Sequence, residues 1–213
     1  MVDPSQAVTI VDYGMGNLHS LSAAIRHLGF LPKVTASQYE IARSRIILLP
    51  GVGSFSVAME AIQERQIDVG LKEALGRGNA RVLGICLGMQ LLTEFSVEDG
   101  GSEGLGLVAG RVEPFSESVA KAMPVPHVGF NLVQSTDESR LFQGLPRESD
   151  FYFVHSYRLE NASPGLRVSW AEYGERFVAA FESPQVYGVQ FHPEKSQSNG
   201  LKMLENFLKL VVP

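Results

Sequence analysis

Cysteine is nearly missing from these 213 residues; Cys86 is the only one. No intramolecular disulfide is therefore possible, and no zinc cluster built on cysteine. Charge is also scarce, at 19% of residues with a formal net charge of −5, and no run of Lys or Arg stands out. Neither nucleic acid nor an anionic membrane surface is an expected partner. The apolar runs are short, as in Ile46 to Leu49, against the ~20 residues that a membrane span needs. No basic segment followed by an apolar stretch and a cleavage site opens the sequence, so no secretory leader is expected. No G-x-x-x-x-G-K-[ST] loop occurs, and Gly14-Met15-Gly16 lacks the third glycine of the dinucleotide fingerprint, because position 19 is His. These absences leave a soluble, reduced, cytoplasmic protein for which we expect neither a nucleotide cofactor nor a metal.

What the chain has is apolar material, 45% of its residues. That suits one α/β domain spanning 1–213. In the first half, the apolar runs Ala7 to Asp12, Lys33 to Thr35, Arg45 to Leu49 and Arg81 to Ile85 read as strands. Between them, helical spacing appears at Leu18, Leu21, Ile25 and Leu28, across Ser56 to Leu75, and from Gly88 to Phe95. Ser37 with Glu40 three residues later resembles a capping box. Strand and helix thus alternate, which predicts a mostly parallel sheet covered by helices. The second half reads differently. Leu105 to Phe115, Asn131 to Gln134, Asp150 to Leu159, Leu166 to Glu172, Phe177 to Glu182 and Val186 to Phe191 look like strands separated by turns. They predict added antiparallel strands, followed by a helix with Leu201, Leu204, Phe207 and Leu208 on one face.

Gly84-Ile85-Cys86-Leu87-Gly88 stands between a predicted buried strand and a predicted helix. This is the G-x-nucleophile-x-G form of a hydrolase elbow, with sulfur in place of a hydroxyl. Small flanking residues permit the strained backbone that exposes a nucleophile at a strand end. The positive end of the following helix favours thiolate. Of the five histidines, His192 has the strongest local logic as a base. In His192-Pro193-Glu194 an extended backbone sends residues two apart to one side, so Glu194 can orient the imidazole. His27 is expected to face solvent and His19 to open a helix. His127 and His155 remain candidate site residues.

Amide chemistry at a thiol needs N–H groups aimed at the developing oxyanion. Leu87, next to the nucleophile, supplies one candidate. Val52 and Gly53, in the strand-end turn Pro50-Gly51-Val52-Gly53, supply another. On the predicted helix after Cys86, Gln90 and Glu94 lie four and eight residues on and share a face, open to a polar substrate or, for Glu94, equally to the surface.

Together these blocks resemble the class I glutamine amidotransferases, nearly end to end. The carriers are Asp12 to Asn17, Pro50 to Phe55, Gly84 to Gln90, Phe153 to Tyr157 and Gly188 to Ser196. The Cys86 and His192-Pro193-Glu194 blocks are similar to the whole class. The Val52-Gly53 turn and the early Gly-Asn block resemble the glutaminase branch of imidazole glycerol phosphate synthases. The resemblance implies a flavodoxin-like fold with no cofactor, and a Cys86, His192, Glu194 triad that releases ammonia from glutamine. It also implies substrate contacts at Gly51, Gln90, Glu94, His155, Ser156 and Tyr157, and a reorienting oxyanion peptide at Val52 and Gly53. The implied partner is a (β/α)₈ cyclase in a heterodimer, acting in histidine biosynthesis. Pyridoxal-phosphate synthase glutaminases are the nearest alternative, but they carry Gly-Gly-Glu where this chain has Gly51-Val52-Gly53. A redox or glyoxalase protein with an elbow cysteine lacks the late His-Pro-Glu. A non-catalytic regulatory subunit does not account for an intact triad.

Overall fold

The computed structural model describes residues 7–210. Five strands form the parallel part of the main sheet: β1 (Ala7–Val11), β2 (Leu31–Thr35), β3 (Ile46–Gly51), β4 (Arg81–Cys86) and, much later, β13 (Val186–Val189). Their spatial order is β2-β1-β3-β4-β13, every neighbouring pair parallel. Helices α1 (Leu18–His27), α2 (Gln38–Ala42), α3 (Phe55–Glu64) and α4 (Ile67–Gly76) make the crossovers, with α5 (Leu87–Leu91) following β4. The run Ile46 to Leu49 is apolar at every position because both faces are covered: Ile46 and Leu48 join one core cluster, Ile47 and Leu49 the other. Helix α7 (Gln197–Lys209) closes the first cluster with Met203, Leu204 and Phe207.

The antiparallel additions divide in two. Strands β12 (Arg176–Glu182), β11 (Arg167–Glu172), β8 (His127–Gln134) and β9 (Glu148–His155) continue the main sheet beyond β13, making nine strands. A separate small sheet joins β10 (Tyr157–Leu159), β7 (Arg111–Pro114), β5 (Phe95–Ser96) and β6 (Ser102–Glu103). A short helix, α6 (Glu117–Ala122), links β7 to β8. The expectation of a mostly parallel sheet with antiparallel strands added is met.

Several boundaries differ from the sequence reading. The stretch from Ser56 to Leu75 is two helices, because Gln66 takes a left-handed conformation between them (φ 55°). Asp150 to Leu159 is two strands in different sheets, separated at Ser156. Only Arg111–Pro114 of the predicted Leu105 to Phe115 strand pairs. The helix expected from Gly88 to Phe95 stops at Leu91. There the Thr93 hydroxyl and backbone N–H both donate to the Gln90 carbonyl, at 2.7 and 3.0 Å, and take up a terminal acceptor.

The early glycine stretch caps a helix. Asn17 Oδ1 accepts from the Ser20 N–H at 3.3 Å, and Asp12 Oδ1 accepts from the Gly14 N–H at 2.9 Å. Its local backbone hydrogen bonding is thereby used within the turn.

Candidate active site

Three strands end together. Gly51 of β3 is the register partner of Cys86 of β4, and Val189 of β13 is the partner of Ile85. Residues 51, 86 and 192 therefore meet at the carboxyl edge of the parallel sheet, where open α/β sheets bind ligands.

Cys86 has φ 54° and ψ −113°. A non-glycine residue holds that conformation only when its surroundings impose it. A Cβ at Gly88 would overlap the Leu49 carbonyl, and one at Gly84 would sit 2.5 Å from the Gly88 carbonyl oxygen. The two glycines of the elbow thus let α5 start directly against β3 and β4. The thiol donates to the Val154 carbonyl at 3.7 Å and receives the Gln190 side-chain N–H at 3.8 Å.

His192 is buried, with Nδ1 3.0 Å from Glu194 Oε1. Its backbone is pinned from two sides: its N–H donates to the Tyr152 carbonyl at 2.8 Å, and its carbonyl accepts from the Ser196 hydroxyl at 2.6 Å. The pair is made differently from the extended geometry expected. Only His192 is extended; Pro193–Lys195 form one 3₁₀ turn, which brings Glu194 back to the ring. Burial disfavours charge on His192, but the Cys86 sulfur and the Glu194 carboxylate outweigh it and raise its pKa to about 10. Among the described residues, His192 Nε2 is buried without a hydrogen-bond partner. With Nδ1 committed to Glu194, it is the free nitrogen of a ring on which the Cys86 sulfur acts directly.

A cavity of about 320 Å³ opens over the sulfur. Val52, Gly53 and Leu87 line it, as do Gln90, His155, Ser156 and Tyr157. Gly51 lies just behind, facing a smaller void beside His192 and Glu194. Gly53 has φ 106°, and a Cβ there would come within 2.6 Å of Met15 Cε. Val52 is exposed.

Glu94 is the site residue the structure does not bring in. Because α5 ends early, Glu94 is exposed and its carboxylate accepts from the Gly110 N–H at 3.2 Å, outside the cavity. The carboxylate that lines the cavity is Glu98, which the sequence reading missed. It accepts from the Phe55 N–H at 2.9 Å, at the start of α3. Burial raises its pKa. The turn-forming Asp99-Gly100-Gly101 was the available signal that the chain bends there instead of continuing a helix.

His155 and His127 are both buried, and burial lowers their pKa values, to about 3 and about 4. Neither has the carboxylate neighbour that His192 has. His19 and His27 are exposed on α1. Chemically, the site presents a thiol, a carboxylate-held imidazole and candidate N–H donors around a space for a small polar carbonyl compound. That set is suited to nucleophilic acyl transfer. No group of His, Cys, Asp or Glu among the described residues is arranged to hold a metal ion.

Comparison with known proteins agrees with this geometry. Residues 9–211 match the family model described as glutamine amidotransferase class-I. The chain is 39% identical to "Imidazole glycerol phosphate synthase subunit HisH 1" of Campylobacter jejuni, covering 95% of this chain and 100% of that protein. It is 42% identical to "Imidazole glycerol phosphate synthase subunit HisH" of Aquifex aeolicus, covering 93% and 94%. A solved structure described as a glutamine amidotransferase superposes with a TM-score of 0.75 at 18% identity, covering 96% of this chain and 98% of that one; at that identity it speaks for the fold alone. The chain belongs to the class I glutamine amidotransferase family.

Proposed function

We propose that this chain is the glutaminase subunit of an imidazole glycerol phosphate synthase, acting over its whole length as one amidotransferase domain. It hydrolyses glutamine to glutamate and ammonia and passes the ammonia to a (β/α)₈ cyclase subunit. That partner makes imidazole glycerol phosphate and AICAR in histidine biosynthesis. The observation that carries the reading is the action of the Cys86 sulfur, at the wall of the cavity, on the ring of the His192–Glu194 pair, in a chain about 40% identical to subunits of that name. A thiol that must stay reduced to react fits a cytoplasmic location.

The reaction runs through a thioester. His192 holds the proton that Cys86 gives up, and the sulfur attacks the side-chain carbonyl carbon of glutamine. The oxyanion that forms is met by the N–H of Leu87 and by an N–H of the Val52–Gly53 turn. His192 returns the proton to the departing nitrogen, the C–N bond breaks, and ammonia leaves. Water then gives a proton to His192 and attacks the thioester. The C–S bond breaks, glutamate is released, and the sulfur recovers its proton. Glu194 keeps the imidazole in one tautomer and supports its positive charge throughout. At the amino-acid end, Glu98 is the only carboxylate lining the cavity among the described residues, and it suits the substrate ammonium. Gln90 and the Ser156–Tyr157 backbone suit the polar remainder.

The exposed face of β8 supports a place for the cyclase. Val128, Phe130 and Leu132 alternate along β8 and are 56%, 47% and 51% exposed. Their register partners include Val154 and Tyr152 of β9. Val154 and Pro126 both line the cavity, so this apolar row runs to its mouth. A contiguous apolar row of that kind marks an interaction face. Co-purification with the cyclase, then glutaminase assay with and without the cyclase's ligand, tests the reading. A stable complex whose glutaminase rate rises with that ligand is expected; no association and no glutaminase activity would contradict it.

A further inference from the structure

Gln190 is fully buried just past β13, and the reaction above gives it no part. Its orientation follows from the hydrogen bonds around it. A backbone carbonyl only accepts, so the Gln90 side-chain atom 3.0 Å from the Tyr157 carbonyl is its NH₂. The same NH₂ lies 3.0 Å from the Gln190 side chain, so the Gln190 atom facing it is the oxygen. The other end of Gln190 is then an NH₂, and it faces Cys86 Sγ at 3.8 Å.

A second branch holds the Tyr157 carbonyl. His155 Nδ1 lies 2.9 Å from it and so carries the proton, which leaves Nε2 as an acceptor. His127 Nδ1 lies 3.0 Å from that Nε2 and donates to it. His127 Nε2 then accepts from Asn131 Nδ2 at 3.4 Å. Two backbone groups fix Asn131 independently: its Nδ2 donates to the Glu172 carbonyl and its Oδ1 accepts from the Leu132 N–H, both at 2.8 Å. The direction of every bond is therefore the same whether read from Tyr157 or from Asn131. Phe153 and Tyr173 stack on His127, with centroids at 5.0 and 4.0 Å, and Phe177 lies 5.1 Å from His155.

We propose that the Tyr157 carbonyl, acting through Gln90, turns Gln190 so that an N–H, rather than a carbonyl oxygen, points at the Cys86 sulfur and supports its charge in the reaction. Gln190 is then a catalytic residue, because it touches the reacting atom; Gln90 is a positioning residue acting through it, and the His155–His127–Asn131 branch holds the Tyr157 carbonyl in place. The sulfur's other polar neighbour, the Val154 carbonyl, accepts from a thiol but repels a thiolate. An N–H on the opposite side offsets that repulsion when the proton leaves, and again when the sulfur departs from the thioester. The inference deepens the thioester reading and rests on it.

The test compares the wild-type chain with Gln190→Met, which keeps the length of the side chain and removes the N–H. The readouts are the rate of Cys86 alkylation by iodoacetamide across the neutral pH range, and kcat and KM for glutamine in the complex with the cyclase. The titratable groups around the sulfur (His192 and Glu194, Tyr13, His155 and Glu98) are common to both proteins, so a difference between them reports Gln190. Losing a hydrogen bond to a charged group should slow alkylation near neutral pH by about tenfold or more, and displace its pH profile to the alkaline side. We expect kcat to fall with it while KM stays nearly unchanged. An unchanged alkylation profile in a folded variant overturns the proposal. If the variant does not fold, spectra of the wild-type protein labelled with ¹⁵N in its glutamine side chains decide instead. A Gln190 NH₂ proton whose resonance moves strongly as the Cys86 thiol loses its proton is expected; a Gln190 NH₂ that does not respond overturns the proposal. Failure of the wild-type thiol to react with a glutamine-like electrophile defeats the thioester reading itself, which separates the two.

Discussion

His192 Nδ1 and Glu194 Oε1 stand 3.0 Å apart although only Pro193 separates them in the chain. The contact fixes which ring nitrogen is free to face the sulfur. In Glu194→Gln the amide can present its NH₂ to the ring and select the wrong tautomer. We expect kcat for glutamine hydrolysis to fall by about a hundredfold or more, with KM little changed and the fold intact. Steady-state kinetics check this; a KM effect alone would show that Glu194 only binds substrate.

Gly53 combines φ 106° with a close approach to Met15. Gly53→Ala should cost about 1–3 kcal/mol of stability through backbone strain. It should also hold the turn away from its productive conformation. Loss of one oxyanion donor lowers kcat by about a hundredfold. The expected outcome is a folded complex whose glutaminase rate no longer responds to the cyclase ligand. A response equal to that of the parent protein would remove Val52–Gly53 from the mechanism.

The exposed row on β8 gives a third expectation. Phe130→Asp places a charge at its centre, on the face away from the core. Unfolding stability should fall by about 1 kcal/mol, through the lost edge-on contact with Tyr152, while affinity for the cyclase falls by about tenfold or more. Calorimetric titration of the two subunits measures the second quantity. Unaltered affinity would direct the partner to another face.

Stability should depend on pH on both sides of neutrality. His155 and His127 have folded pKa values of about 3 and about 4, below the unfolded value of 6.5. The unfolded chain therefore binds more protons as pH falls through 6.5, and stability declines from there toward those values. His192 works in the opposite sense. Its folded value of about 10 means that its contribution is full below 6.5 and is lost as pH rises toward 10. Urea midpoints across this range should peak near neutral pH. A midpoint that keeps rising as pH drops from 6.5 to 5 would contradict the buried-neutral state of the histidine pair.

Much of this site could be read from the chain because its signals are local. Gly84 and Gly88 announce an elbow, since only glycine fits where α5 meets Leu49. His192 and Glu194 carry their contact within three residues. What escaped reading depended on distant partners or on one boundary. Glu94 was expected in the site because helical periodicity was extended through Thr93, whose hydroxyl instead ends the helix at the Gln90 carbonyl. Glu98 took that place through a turn anchored on Phe55, 43 residues earlier. The role of Gln190 depends on Gln90 and the Tyr157 carbonyl, which no spacing rule links to it.

Cys86→Ala in the complex with the cyclase probes the central claim most directly, by comparing synthesis of imidazole glycerol phosphate from glutamine with synthesis from added ammonia. We predict that the glutamine-dependent reaction is abolished while the ammonia-dependent one persists close to the parent rate. Equal loss of both, or survival of the glutamine-dependent reaction, would contradict a thioester on Cys86 as the source of the ammonia.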